Sequence, residues 1–344
     1  MQFDINSDKI RLNYKQGEVI MLKKLIALLT VFMLSLTLIF GLVGCNNCGS
    51  CAGGGNGGGD DGLPEEPNET YTREENYIYI GRYPQSLKEE SVTITDKQNK
   101  KGYYLGSDNE YYAKVVANPR YNNYRFKNNE KIIKDEIYYF KVEPIKWSIL
   151  NEKDGKAFLR CVTILTKKGF DDDSNIYKDS QIRAWLNGEF YSTVFNSLQQ
   201  NLILTTEVDN SARSTNPNDY AHWYNDGNNS RASENTFDKV FLLSLQELTT
   251  IAYGFSKHAN DQSNPAGGRR LSVTDYGRAT GVFMDDTSRT YGIGAYWTRS
   301  PEYYTDDTAY IVQPYGHVSV GYSVDSDYFS PVPAMWINLE DGSN

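Results

Sequence analysis

The chain has 344 residues, enough for one large domain or two modest ones with a sizeable core. Its 35 Lys and Arg stand against 44 Asp and Glu, a formal charge of −9, so no nucleic-acid partner is expected. At 23% charged and 39% hydrophobic it is too apolar for a wholly disordered chain, and four cysteines exclude a dense disulfide framework.

Residues 1–20 are polar and carry no clear element. At Met21 the pattern changes to Lys23-Lys24, an apolar run of 16 residues from Leu25 to Phe40, and Leu42-Val43-Gly44-Cys45. This order resembles the signal peptide and lipobox of bacterial lipoproteins. The resemblance implies that residues 21–44 are removed and that Cys45 becomes a lipid-modified N-terminus. Residues 1–20 then read as a mis-assigned upstream extension. The alternative is an uncleaved membrane span over the 20 residues from Leu25 to Gly44. Both place the body outside the cytoplasm, held to a membrane that is itself a partner through Cys45.

Cys45, Cys48 and Cys51 have metal-like C-x2-C-x2-C spacing, but lipid would consume Cys45 and no second ligand pair is near. Cys48 and Cys51 can close a small disulfide. Residues 45–70, rich in Gly, Asn, Asp, Pro and Glu, predict a flexible tether.

Residues 71–344 read as a single globular domain. ENYIYIGRYPQS alternates with period two and predicts a strand from Tyr77, and 110–118 predicts another. Ile137–Glu143, Ile145–Leu150 and Ala157–Thr166 follow as three strands, with a turn at Asp154-Gly155 and Cys161 as a core thiol. Asp179 or Ser180 then caps a short helix bearing Ile182, Trp185 and Leu186, with Asn187-Gly188 as its stop and a second helix over Glu189–Phe195. A long polar loop leads to a strand at Lys239–Leu243 and a capping box from Ser244 to Glu247. Residues 257–290 read as loop-rich, and four candidate strands close the chain. The fold class expected is α+β, mainly antiparallel sheet with inserted short helices.

The residues Ile182-Arg183, Trp185-Leu186-Asn187, Phe190-Tyr191, Phe195, Val240 to Ser244, Glu247, Trp297, Arg299-Ser300-Pro301 and Pro333 to Ile337 together resemble an uncharacterised domain family. That family is common in surface and secreted proteins of gut-type bacteria and is usually labelled a domain of unknown function. Tyr79 to Gln85 and Trp147 to Leu150 also match the way such domains begin, so the resemblance spans about Tyr77 to Leu339. One departure is Val332, which stands where the family commonly carries an arginine. A more distant similarity is to C-type-lectin-like folds. The oxidase activity of formylglycine-generating enzymes is not implied, because Cys161 stands alone in the body.

No nucleophile elbow, zincin, P-loop or dinucleotide motif is present, so no catalytic residue is assigned. Of the histidines, His222 lies in DYAHWYNDG beside Asp219 and Asp226, whereas His258 and His317 read as a helix end and a turn. Asp171, Asp173 and Asn175 alternate as calcium ligands do, but Ile176 and Ile182 replace the glycine and glutamate of an EF-hand. No cofactor is expected, Ca²⁺ being the one conceivable ion. Trp147, Trp185, Trp297 and Trp336 read as core. His222, Trp223, Tyr224, Asp226, Tyr303 and Tyr304 form the expected binding surface, since exposed aromatics stack on sugars or anchor proteins. The expected function is non-catalytic recognition of a glycan or an envelope protein. The alternatives are an envelope hydrolase using carboxylates or His222, and a structural surface domain.

Overall fold

The computed structural model describes residues 63–64, 68–215, 232–261, 268–287, 290–302 and 305–339. The chain starts with β1 (Thr72–Glu74) and β2 (Tyr77–Leu87), then β3 (Ile94–Gln98), β4 (Tyr104–Gly106) and β5 (Tyr111–Val116). A 17-residue strand, β6 (Ile137–Lys153), turns through Asp154-Gly155 into β7 (Lys156–Cys161). Downstream lie β8 (Thr163–Ile164), β9 (Thr206–Val208), β10 (Thr236–Asp238), β11 (Phe241–Leu242) and β12 (Ser272–Val273). The last four are β13 (Tyr296–Pro301), β14 (Thr308–Val312), β15 (Val318–Ser323) and β16 (Pro333–Asn338).

Among the described residues the main sheet has nine strands in the order β11-β16-β7-β6-β5-β4-β3, with β2 on β6 and β1 on β2, every pairing antiparallel. A three-stranded antiparallel sheet, β13-β14-β15, and the pairs β9-β10 and β8-β12 complete it, the last being parallel. Short helices are inserted between the strands, so the fold is α+β with a mostly antiparallel core, as the alternating pattern predicts.

Several details differ from the sequence expectation. Ile137–Glu143 and Ile145–Leu150 are one strand rather than two. Across Pro144 the buried set slips from Phe140 and Val142 to Ile145 and Trp147, which imitates a break. The strand survives because its neighbour on one side changes there, from β5 through Lys141 to β7 from Trp147, while β2 runs along the other side. A proline without an N–H is tolerated where the ladder is one-sided.

The second difference is at Asn187-Gly188. Ser180 caps Gln181–Trp185 as expected, its hydroxyl accepting the Arg183 N–H at 3.3 Å. The helix then continues through a π-turn, Leu186–Phe190, into Tyr191–Val194. Asn187 does not stop it, because its amide is spent on tertiary bonds to residues 239–240. Residues 257–290 also hold a helix not foreseen, Asp275–Ala279, capped by the Thr274 hydroxyl accepting the Gly277 N–H at 3.1 Å.

The core runs from Ile78, Ile80 and Trp147 through Phe158, Ile182 and Leu186 to Trp297, Val312 and Ile337. Trp147 and Trp297 are buried, as expected, and each indole N–H has a partner, the Ile80 carbonyl at 2.9 Å and the Lys168 carbonyl at 3.0 Å. Each such burial contributes roughly 1.5–3 kcal/mol. Gly81 lets the helix reach the sheet. Its φ is 71°, and a Cβ there would lie 2.5 Å from Val194 Cγ1 and 2.7 Å from the Phe195 ring.

Within the segment read as tether, Leu63 packs beside Leu105, Tyr111 and Val142, and the Tyr111 hydroxyl donates to the Pro64 carbonyl at 2.7 Å. Asn196 and Gln199 each donate a side-chain N–H to the Glu69 carbonyl at 3.2 Å. No helix among the described residues is long and apolar enough to cross a membrane.

Candidate functional site

The close approach at Gly81 sets the helix beside β2, and a cleft of about 490 Å³ opens where the two diverge. Its floor is Tyr83-Pro84 of β2 and Ala113 to Val115 of β5. One wall is the β3–β4 turn with Gln98, Lys101, Gly102, Tyr103 and Tyr104; the other is the helix, with Trp185, Glu189, Phe190 and Thr193. Tyr276, from the helix after β12, closes one end.

The rings support one another. Tyr83 meets Tyr276 edge-on at 5.7 Å and 88°, and Phe190 lies 6.1 Å from Tyr83 and 5.1 Å from Trp185. Phe190 is buried, whereas Tyr83, Tyr103, Tyr104, Trp185 and Tyr276 are half-buried. Burial raises the Tyr83 and Tyr276 phenols above their ordinary range, and in Tyr83 the charge that Tyr276 would carry adds to it. Both therefore remain neutral hydroxyls.

The polar groups are placed by local chemistry. In the β3–β4 turn Asn99 Oδ1 accepts the Lys101 and Tyr103 N–H groups, both at 3.0 Å, and Gly102 takes φ 78°. This Asx-type turn fixes the backbone that carries Lys101. Lys114 leaves β5 beside Tyr104, its Nζ 5.9 Å from the ring centroid, and Tyr104 in turn meets Tyr139 edge-on at 5.7 Å. Glu189 sits in the π-turn, an element that re-aims side chains within a helix.

A cleft of this size with aromatic walls and a few convergent polar groups suits a small polar molecule with apolar faces. Glu189 is the one carboxylate among the described lining residues. Hydrolysis of a glycosidic bond ordinarily takes two.

The binding surface expected from sequence falls outside the described residues. His222, Trp223, Tyr224 and Asp226, with Asp219, and also Tyr303, Tyr304 and Cys45, are outside the described residues. So are the proposed signal peptide, Cys48 and Cys51. Trp185, read as core, is half-buried and lines the cleft; Trp336, also read as core, is half-buried and stacks on Phe158 at 5.1 Å and 10°. Asn175 is buried, and its amide donates to the Glu302, Thr305 and Thr308 carbonyls at 3.1, 2.8 and 2.8 Å. It therefore ties together Glu302, Thr305 and Thr308. No group of three His, Cys, Asp or Glu suited to a metal occurs among the described residues. His258 is exposed and His317 half-buried, neither lining the cleft.

The residues that carried the family resemblance are framework rather than cleft, Tyr83, Pro84, Trp185 and Phe190 apart. Arg299, buried, donates through Nη1 to the Leu242 carbonyl at 2.6 Å and to Glu247, and through Nη2 to the Asp209 carbonyl at 3.2 Å. Ser244 and Glu247 make the expected capping box, with Ser244 N–H to Glu247 Oε2 at 2.8 Å and Glu247 N–H to Ser244 Oγ at 3.2 Å. Ser300 Oγ accepts the Leu245 N–H at 2.9 Å.

Residues 154–339 match the family model described as "Domain of unknown function (DUF6273)", a narrower span than Tyr77 to Leu339. No curated protein and no solved structure matches the chain. The matched span supplies the helix wall and Tyr276, whereas the floor and the β3–β4 wall come from strands before it.

Proposed function

The chain belongs to the DUF6273 family, and from that premise we propose a recognition protein held at the outside of a bacterial membrane by lipid on Cys45, binding a glycan in the aromatic cleft. One observation carries the binding reading: a cleft of about 490 Å³ presents Tyr83, Tyr103, Tyr104, Trp185 and Tyr276 alongside Gln98, Lys101, Lys114, Glu189 and Thr193. Flat half-buried rings offer stacking faces for the C–H side of a sugar, and the polar groups between them suit its hydroxyls. Glu189, the one carboxylate among the described lining residues, favours binding over hydrolysis. The anchoring half of the proposal rests on the lysine pair, apolar run and Leu42-Val43-Gly44-Cys45 order of the sequence.

The test uses the full chain purified in detergent and screened against neutral and acidic glycans, beside Trp185→Ala and Tyr104→Ala. Loss of one stacking ring is expected to weaken binding by about tenfold, with the unfolding midpoint used to check folding. Absence of glycan binding, or binding that neither substitution weakens, overturns the cleft as the recognition site. Incorporation of labelled fatty acid by the wild type but not by Cys45→Ser tests the anchor separately.

A further inference from the structure

The floor of the cleft includes an open strand edge. Ala113, Lys114 and Val115 are consecutive in β5 and all three line the cleft, although side chains along a strand alternate between its two faces. What consecutive strand residues present in common is the backbone along one edge.

The register shows which backbone groups lie there. The Ala117 N–H donates to the Glu136 carbonyl at 2.8 Å and the Ala117 carbonyl accepts the Asp135 N–H at 2.7 Å, so Ala117 faces the β6 side. β5 pairs with β6 without a shift from Tyr112 to Val116, and backbone groups alternate sides along an antiparallel strand. Ala113 and Val115 therefore also face β6, and Lys114 and Val116 face away from it. On that outer side Tyr112 is paired with Tyr104, the first residue of β4, and the Asn118 N–H donates to the Ala279 carbonyl at 2.8 Å. Between these two contacts, among the described residues, no backbone bond reaches the outward N–H and C=O of Lys114 or Val116. Both residues are exposed, Val116 at 59%.

We propose that this gap takes an extended peptide as an added strand, so that the occupant of the cleft, on the glycan reading above, is a peptide-bearing saccharide. A peptide residue in the extended form turns its own N–H and C=O to one side, which complements the pairs that Lys114 and Val116 present. The stretch from Lys114 to Val116 matches about three residues, roughly 10 Å of strand. Tyr83, Trp185 and Tyr276 remain for the saccharide. The setting favours a single chain over a second copy of this sheet. The edge lies between the β3–β4 turn and the helix bearing Trp185, Glu189 and Thr193, and a folded partner would meet these walls first. Lys114 also supplies the charge that ordinarily guards an edge against another edge.

The deciding experiment compares three probes on the full-length protein in detergent: chitobiose, trialanine, and chitobiose joined at its reducing end to trialanine. The conjugate is expected to bind about tenfold more tightly than chitobiose, the worth of one or two net hydrogen bonds. N-methylation of the peptide amides one at a time should abolish that gain at alternate positions only, the period-two signature of an added strand. Lys114→Pro and Val116→Pro each delete an outward N–H that a proline on a free edge can spare, and each should remove the gain with little change in the unfolding midpoint. Amide hydrogen exchange reads the edge without any substitution. In the free protein the Lys114 and Val116 amides should exchange faster than those of Ala113 and Val115, and the conjugate should slow them.

Slow exchange at Lys114 and Val116 in the free protein overturns the inference. Equal affinity for conjugate and chitobiose also overturns it, and leaves glycan recognition standing. Self-association that Val116→Pro dissolves would give the edge to a second copy and overturn it as well. If conjugate and trialanine bind alike and chitobiose does not, the added strand stands and the glycan reading falls. If none of the three binds, both fall.

Discussion

Asn187 and Val240 are joined twice: the Asn187 amide nitrogen donates to the Val240 carbonyl at 2.9 Å, and its Oδ1 accepts the Val240 N–H at 3.2 Å. The same Oδ1 accepts the Lys239 N–H at 2.7 Å, and the amide also bonds the Arg183 carbonyl at 3.1 Å. One side chain thus stands in for a strand neighbour at the start of β11 and ties it to the helix that walls the cleft. Asn187→Ala leaves these backbone groups without their partner and should cost about 2–4 kcal/mol, at roughly 1 kcal/mol per lost bond. Urea unfolding should show a lower midpoint at an unchanged slope. Asn187→Asp keeps the acceptor but turns an oxygen towards the Val240 carbonyl, so it should rescue little.

Arg299 and Glu247 form the second tie. The guanidinium is 1% exposed and the carboxylate 23%, and Glu247 also closes the capping box at Ser244. Removing one partner of a buried pair strands the other, at a cost of about 3–5 kcal/mol. Arg299→Met should reach that range. Glu247→Gln, which still accepts from Ser244, should cost less, and the double variant should cost less than the two separately added. A strictly additive cycle would show that the two residues act independently.

Much of this framework is legible in sequence because its signals are local. Period-two alternation finds β2, turn residues separate the four closing strands, and Ser180 and the Ser244-Glu247 box announce helix starts. The errors fall where a distant contact overrides a local sign. Asn187-Gly188 has the form of a helix stop, but bonds to residues 239–240 hold the asparagine inside a continuing helix. Pro144 reads as a break because only the three-dimensional pairing reveals that its strand has one neighbour there. The five-residue helix at Asp275 is too short, with Gly277 inside it, to leave a periodic trace. The cleft was not legible at all. Its lining runs from Tyr83 to Tyr276, and what unites those positions is the approach of a helix to a strand at Gly81. The Tyr103-Tyr104 pair beside a Lys-Gly turn was the available hint.

His317 gives the fold a pH dependence. Burial, and secondarily the Arg269 charge, hold its pKa below the ordinary 6.5, and its Nδ1 is buried without a hydrogen-bond partner. Between the folded value and 6.5 the unfolded chain binds the extra proton. The stability this group contributes is therefore complete above about 6.5 and is lost as pH falls through the folded value. His317→Gln should flatten that slope. The check is urea unfolding of both proteins at neutral pH and about one and two units lower. An equal loss in both would assign the slope to other groups.

Cys161 should be chemically silent in the folded protein. It is fully buried on β7, where its S–H donates to the Thr163 carbonyl at 3.2 Å, and burial pushes its thiol up to about 11. At neutral pH the thiolate is scarce and a reagent has no path to it, so two independent factors suppress reaction. Iodoacetamide followed by peptide mapping should leave Cys161 unmodified in buffer and alkylate it fully in denaturant, with the labelled fraction tracking the unfolding curve. Rapid labelling of native protein would mean that the β6–β7 hairpin opens without global unfolding. Because β7 pairs with both β6 and β16 in the middle of the main sheet, such opening would have to break two ladders at once, which is why protection is the expected result.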